Sequence, residues 1–297
     1  MVAPQKMSVH LYKVHTEKGA APLDDLLERI ANDHLVDRLR RVGPALETRV
    51  EHVVKPKKGA PYWLLDFTRL RFEHGPGKAS RTTPIQGFQL ADGEGFGEET
   101  AVMYIPSSEY LLVQYNHFGV RSGSIETYFN GYDHHKPNGY TLLIEFDAET
   151  KAKLSRKNLF TRLEFQVAPA KISKEMKKLG IPLTRALEMG GDFHAETIQV
   201  SMSLGRSKNG TLNFDAVRST VSALLRAAGN DAGVSKLQVS GKQDPDDRIE
   251  VLDLLAPRLR LDFEDIELGS DLRFTQQSRW RALQRARAAW KEYVGIN

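Results

Sequence analysis

Between Asp271 and Val294 the sequence collects Arg273, Arg279, Arg281, Arg285, Arg287 and Lys291 around Trp280, Trp290 and Tyr293. The whole chain carries a net charge of only +4, so positive charge is concentrated here rather than spread evenly. At 100° per residue, Ala282, Leu283, Ala286, Ala289, Trp290, Tyr293 and Val294 share one arc of a helix, and Arg281, Gln284, Arg285, Arg287 and Lys291 share the other. One arc suits a core and the other suits anions. Guanidinium and ammonium groups on such a face contact phosphates, and Trp280 either stacks on a base or covers an Arg stem. The alternative is a solvated surface helix with an ordinary apolar underside.

A second basic stretch runs from Lys151 to Lys178, with Lys151, Lys153, Arg156, Lys157, Arg162, Lys171, Lys174, Lys177 and Lys178 against only Glu164 and Glu175. Its residues fall on a strand, Leu159 to Val167, and on a short helix that Ser173 caps and Gly180-Ile181-Pro182 ends. The acids Asp262, Glu264, Asp265 and Glu267 precede the terminal helix. They offer its arginines internal counterions, which argues the other way.

Other candidates carry less chemistry. The stretch Gly93-Glu94-Gly95-Phe96-Gly97-Glu98-Glu99 has the glycines of a phosphate loop, but its carboxylates repel phosphate, and a turn before a hairpin is expected. Asp133, His134 and His135 form the only histidine cluster, which with nearby carboxylates would make a metal-dependent nuclease centre. Adjacent histidines on extended chain point apart, and no spaced His pair fixes a metal geometry, so a polar loop is expected and no metal is assigned. Asn116, His117 and Arg121 occupy a strand-to-helix loop suited to a phosphate or carboxylate. No Gly-x-Ser-x-Gly elbow, Walker loop or cysteine is present, so no catalytic residue and no cofactor are assigned.

The elements that must position these residues alternate between strand and helix periodicities. Met7 to His15 reads as a strand, Leu23 to Ala31 and Asp33 to Val42 as helices, and Leu46 to Val54 and Tyr62 to Phe72 as strands joined by a basic tip, Lys55 to Gly59. Thr100 to Ile105 and Tyr110 to Tyr115 form a hairpin that leads into a helix through Ile125 and Tyr128, with Ser122 or Ser124 as its cap. Further strands are expected at Thr141 to Phe146, His194 to Leu204, Lys236 to Ser240, Ile249 to Leu255 and Arg258 to Leu268, with a helix from Phe214 to Ala228. The fold class is therefore α+β, with two α/β domains of largely antiparallel sheet. Residues 1–150 make a β-rich first domain, 151–270 a second that starts with the basic stretch, and 271–297 the basic aromatic helix. At 40% hydrophobic and 27% charged residues the composition is globular, and no apolar run reaches the length of a membrane span, so a cytoplasmic location without membrane contact is expected.

This order of elements resembles the RexA-type phage-exclusion proteins and, more distantly, the KwaB subunit of Kiwa defence, most clearly from Phe96-Gly97-Glu98-Glu99-Thr100 to Phe129. The resemblance implies a two-domain α/β protein, similar in fold to the RdgC proteins, that dimerises and binds DNA without sequence preference in phage exclusion or anti-phage defence. It supplies no catalytic residue. The expected ligand is duplex DNA, held by Lys151, Lys153, Arg156, Lys157, Lys174, Lys177, Lys178, Arg279, Trp280, Arg281, Arg285, Arg287 and Lys291, with a second copy or a defence subunit as protein partner. In a competing reading the chain is an interaction subunit that docks a partner through Trp280, Trp290 and Val294.

Overall fold

The computed structural model describes residues 6–43, 46–132, 139–168, 182–205, 210–229, 233–255 and 259–295. Its elements run β1 (Met7–Thr16), α1 (Leu23–Asn32), β2 (Arg40–Gly43), β3 (Leu46–Val54), β4 (Trp63–Arg71), β5 (Phe96–Ile105), β6 (Tyr110–Tyr115), α2 (Ser122–Tyr132) and β7 (Tyr140–Ile144). They continue with α3 (Ala148–Arg156), β8 (Leu159–Val167), α4 (Pro182–Asp192), β9 (Ile198–Ser203), α5 (Phe214–Gly229), β10 (Val234–Lys242), β11 (Glu250–Asp253), β12 (Arg260–Phe263), α6 (Gln276–Ala289) and α7 (Lys291–Val294). The fold is α+β, as its alternating periodicities require. No helix among the described residues is long and apolar enough to cross a membrane.

Two compact units emerge. The first joins Met1–His10 and Val14–Tyr140 with Leu261–Asn297, and the second is Leu11–Lys13 with Thr141–Arg260. The first division thus falls ten residues before the expected 150, and the terminal helix is part of the first unit rather than a separate appendage.

In the first unit the strand order is β12-β1-β6-β5-β4-β3-β2. The ladders from β2 to β6 are antiparallel. Successive side chains on β4 point to opposite faces. Trp63 and Phe67 meet the two early helices: the Trp63 indole N–H donates to Asp24 of α1 at 2.6 Å, and the Phe67 ring lies edge-on to Tyr128 and Phe129 of α2 at 5.2 and 5.9 Å. Leu23, Leu26, Leu27 and Ile30 recur at helical spacing and are all buried. The alternate β4 residues, Asp66 among them, face α6, so the sheet is covered on both sides.

The stretch Asp33 to Val42, expected as a helix, is instead a single 3-10 turn, Leu35–Arg38, followed by β2. Arg40 and Arg41 take partners on β3, and the Arg38 guanidinium donates to the carbonyls of Asp33 and Ala31 at 3.0 and 3.3 Å, which together hold the segment short of helix.

The second unit is built on an antiparallel sheet of order β11-β10-β8-β9. Leu163, Phe165 and Val167 alternate on its buried face with Leu237 and Val239, and α5 contributes Val217, Val221, Leu224 and Ala227. The helix α3 falls where no helix was expected, its start capped by the Asp147 carboxylate accepting from Thr150 N at 2.7 Å. In the first unit Phe67 is fully buried against the Tyr128 and Phe129 rings of α2. Phe67→Ala is expected to cost about 3–5 kcal/mol of unfolding free energy, measured by urea denaturation.

Candidate functional site

The terminal helix starts five residues later than its charge pattern suggests. Thr275 is its cap, the side-chain oxygen accepting from Ser278 N at 3.2 Å, and the preceding chain turns at Leu272, whose φ of 63° is left-handed. The predicted apolar arc is the buried one for Ala282, Leu283, Ala286, Trp290 and Val294, whereas Ala289 is exposed and Tyr293 half-buried. Trp290 and Val294 are covered by the chain's own fold, which removes them as docking residues for a partner.

Arg279 belongs to the buried side. Its guanidinium is 2% exposed, lies 3.1 Å from Asp66 and 3.1 Å from Glu99, and donates to the Phe274 carbonyl at 2.5 Å. Asp66 is wholly buried and its second oxygen accepts from the Gln276 amide at 2.7 Å. Glu99 also receives Arg273 at 3.4 Å, and His52 Nδ1 stands 4.0 Å from Asp66. Burial pushes the Asp66 carboxyl above its ordinary range, against the opposing pull of Arg279 and the hydrogen bonds from Gln276 and Arg279. A guanidinium held this way is out of reach of a DNA phosphate, which corrects the expectation for Arg279. The spacing contains the signal: 279 stands three, four and seven residues before 282, 283 and 286.

The outward side carries the exposed Arg281, Arg285 and Lys291, with Trp280 and Arg287 half-buried. The acidic segment supplies counterions here. Arg281 lies 3.3 Å from Glu267 and Arg285 2.6 Å from Asp265, while the guanidiniums of Arg285 and Arg287 sit over the rings of Phe263 and Tyr62 at 4.8 and 4.9 Å.

In the second unit Lys157 is also buried, its ammonium 2.9 Å from Glu250 and donating to the Gly241 carbonyl at 3.3 Å. Burial and these bonds withdraw it from the surface, a second correction to the DNA-contact set. Lys151 pairs with Glu145, Lys153 with Glu149 at 2.5 Å and with Glu250 at 3.5 Å, and Arg156 is exposed. Lys171, Lys174, Lys177 and Lys178 lie outside the described residues, as do Asp133, His134 and His135. Among the described residues no group of three or more His, Asp or Glu side chains could hold a metal ion. The Asn116 to Arg121 loop is internally bonded: Asn116 donates to the Glu99 carbonyl at 2.8 Å and Arg121 to the His117 carbonyl at 3.2 Å.

Asp66, Gln276 and His52 are not singled out in the sequence, and Glu99 is named there only as a carboxylate of the glycine-rich stretch. Asp66 had one legible sign, a lone acid inside the apolar run Trp63-Leu64-Leu65-Asp66-Phe67. A family model described as "Family of unknown function (DUF6731)" matches residues 14–287. The chain belongs to the DUF6731 family. No curated protein matches it. The DUF6731 match takes in Asp66, Glu99 and Arg279 together with Arg281, Arg285 and Arg287, and stops short of Trp290 and Lys291.

Removing one member of a buried ion pair strands the other charge. Arg279→Ala is accordingly expected to lower the unfolding free energy by about 3–5 kcal/mol, and the double change Asp66→Leu with Arg279→Met to restore most of it, both read by urea denaturation. A raised carboxyl holds its proton more tightly in the folded chain than in the unfolded one. Its contribution to stability therefore falls as pH rises from the ordinary 3.8 through the raised value and is level above it. Paired titrations of unfolding free energy should show wild type losing ground to Asp66→Asn as pH climbs through that window.

Proposed function

We propose that the protein is a cytoplasmic, nonspecific DNA-binding protein that contacts phosphates through the outward face of α6 and α7. The observation that carries this reading is the division of labour on the terminal segment. Arg279 anchors the inner side of α6 to the sheet, Arg281 and Arg285 stand exposed on its outer side, and Lys291 is exposed at the start of α7. Backbone phosphates need such fixed, closely spaced cations and no base-reading geometry.

The intramolecular pairs Arg281–Glu267 and Arg285–Asp265 are exposed, and exposed pairs are worth about 0–1 kcal/mol. Phosphates can replace the carboxylates at that cost, so the acids set a modest affinity without blocking contact. Arg287 and Trp280 flank the cations, and Arg156 with Lys153 offers further contacts in the second unit. The resemblance to RexA-type exclusion proteins supports the same ligand, and with it a homodimer acting in phage exclusion or defence.

Gel shifts of unrelated DNA duplexes across a salt series test this. Changing Arg281, Arg285 and Lys291 together to alanine should flatten the log–log salt slope by about 3, at roughly 0.9 per phosphate contact. Asp265→Asn with Glu267→Gln should tighten binding several-fold, because it removes the competing carboxylates. An unchanged slope in the first variant, or no binding of wild type at low salt, overturns the assignment.

A further inference from the structure

Beside the buried cluster, on the α6 side of the sheet, an open cleft of about 540 Å³ lies between β3, β4 and the chain leading into β5. Arg49, Glu51, His52 and Thr68 line its polar part, and Phe72 and Leu90 line an apolar part. We propose that this cleft binds an organic cation, an ammonium or amidinium group carried on an apolar body. The inference stands apart from the DNA reading and concerns a different surface of the same unit.

Charge is the first argument. Three carboxylates, Glu51, Glu94 and Glu99, line the cleft against two guanidiniums, Arg49 and Arg273, and the His52 imidazole, with Asp271 paired to Arg273 at its edge and the Asp66–Arg279 pair buried below. Each guanidinium is already committed. Arg49 lies 2.8 Å from Glu51, Arg273 lies 2.7 Å from Asp271 and 3.4 Å from Glu99, and Arg279 is sealed beneath. An incoming anion meets no spare cation there and a surplus of carboxylate, whereas an incoming cation meets the reverse.

The walls are the second argument. Phe72 is 56% exposed and Leu90 44%, and Phe96, which lines the same cleft, is packed edge-on by Phe88 at 5.5 Å. Exposed aromatic and aliphatic surface beside carboxylates suits a cation attached to hydrocarbon, through burial of the body and attraction of the charge to ring faces. A hydrated metal ion has no use for such walls, and no metal-holding group of side chains is present among the described residues.

The third observation is an unmet hydrogen-bonding group. Thr68 lines the cleft and is more than nine-tenths buried, yet its hydroxyl has no partner among the described residues. Buried hydroxyls are normally bonded; this oxygen is sealed from solvent, so a ligand N–H would reach it only by displacing the wall around it.

Isothermal titration of the full chain with benzamidine, benzamide and benzoate separates charge from shape, since the three share a ring and nearly a volume. Benzamidine is expected to bind with a Kd on the order of 1 mM, with benzamide and benzoate giving no saturable heat at tenfold higher concentration. Glu51→Gln should weaken benzamidine by up to about fivefold through loss of a half-exposed charge. Phe72→Ala, at an exposed position the fold does not depend on, should weaken it by roughly two- to fivefold. The Arg281, Arg285 and Lys291 alanine variant should bind benzamidine as wild type does, so failure on DNA and failure here are read independently. Benzoate binding as well as benzamidine, heat from none of the three, or benzamidine binding untouched by both cleft variants overturns the proposal.

Discussion

The contact between Arg279 and Asp66 governs the first unit. A guanidinium and a carboxylate, both almost entirely removed from water, are tolerable only together, and each specifies the position of the other to within a hydrogen bond. Gln276 and Glu99 complete the bonding, so α6 has one angular setting on the sheet. Apolar packing by Leu283 and Ala286 alone would hold a helix there but would tolerate rotation and sliding. Every residue on the outer side of α6 is aimed by this inner contact.

The same geometry sorts charge. Basic residues face outward from the helix, and a carboxylate surplus lies on the neighbouring surface of β3 to β5. Glu267 and Asp265 moderate the first region, while the committed arginines Arg49 and Arg273 leave the second acidic. A net charge of +4 averages these two and describes neither. The surface is better understood as adjacent fields of opposite sign.

Much of the fold was legible where period and burial coincide. The strand Leu159–Val167, the hairpin strand from Thr100 and the helix through Tyr128 follow directly from alternation and turn chemistry, and so does the apolar arc through Leu283, whereas Phe96 to Glu99, expected as a turn, extends that hairpin strand. What sequence could not supply was pairing across distance. Arg279 reads as one more surface arginine until Asp66 is placed opposite it, and Lys157 reads as a solvated lysine until Glu250 and the Gly241 carbonyl close over it. The segment Asp33 to Val42 was misread for a related reason: β2 exists only because β3 offers it a ladder. The cleft beside β3 and β4 has no motif at all, since its residues come from three strands and the loops beside them.

The placement of β12 and α6 has a consequence for how the chain is made. The first unit closes its sheet only when β12 joins β1, at opposite ends of the sequence, and the second unit is threaded between them. Asp66 and its guanidinium partner are separated by 213 residues. During synthesis the second unit can collapse as a nearly continuous stretch while β4 still presents its outer face to water. There Asp66 remains hydrated and keeps an otherwise apolar strand soluble until α6 docks. A carboxylate that costs free energy in the finished core thus keeps the unfinished strand hydrated, and the docking of α6 becomes the step that commits the first unit to its fold.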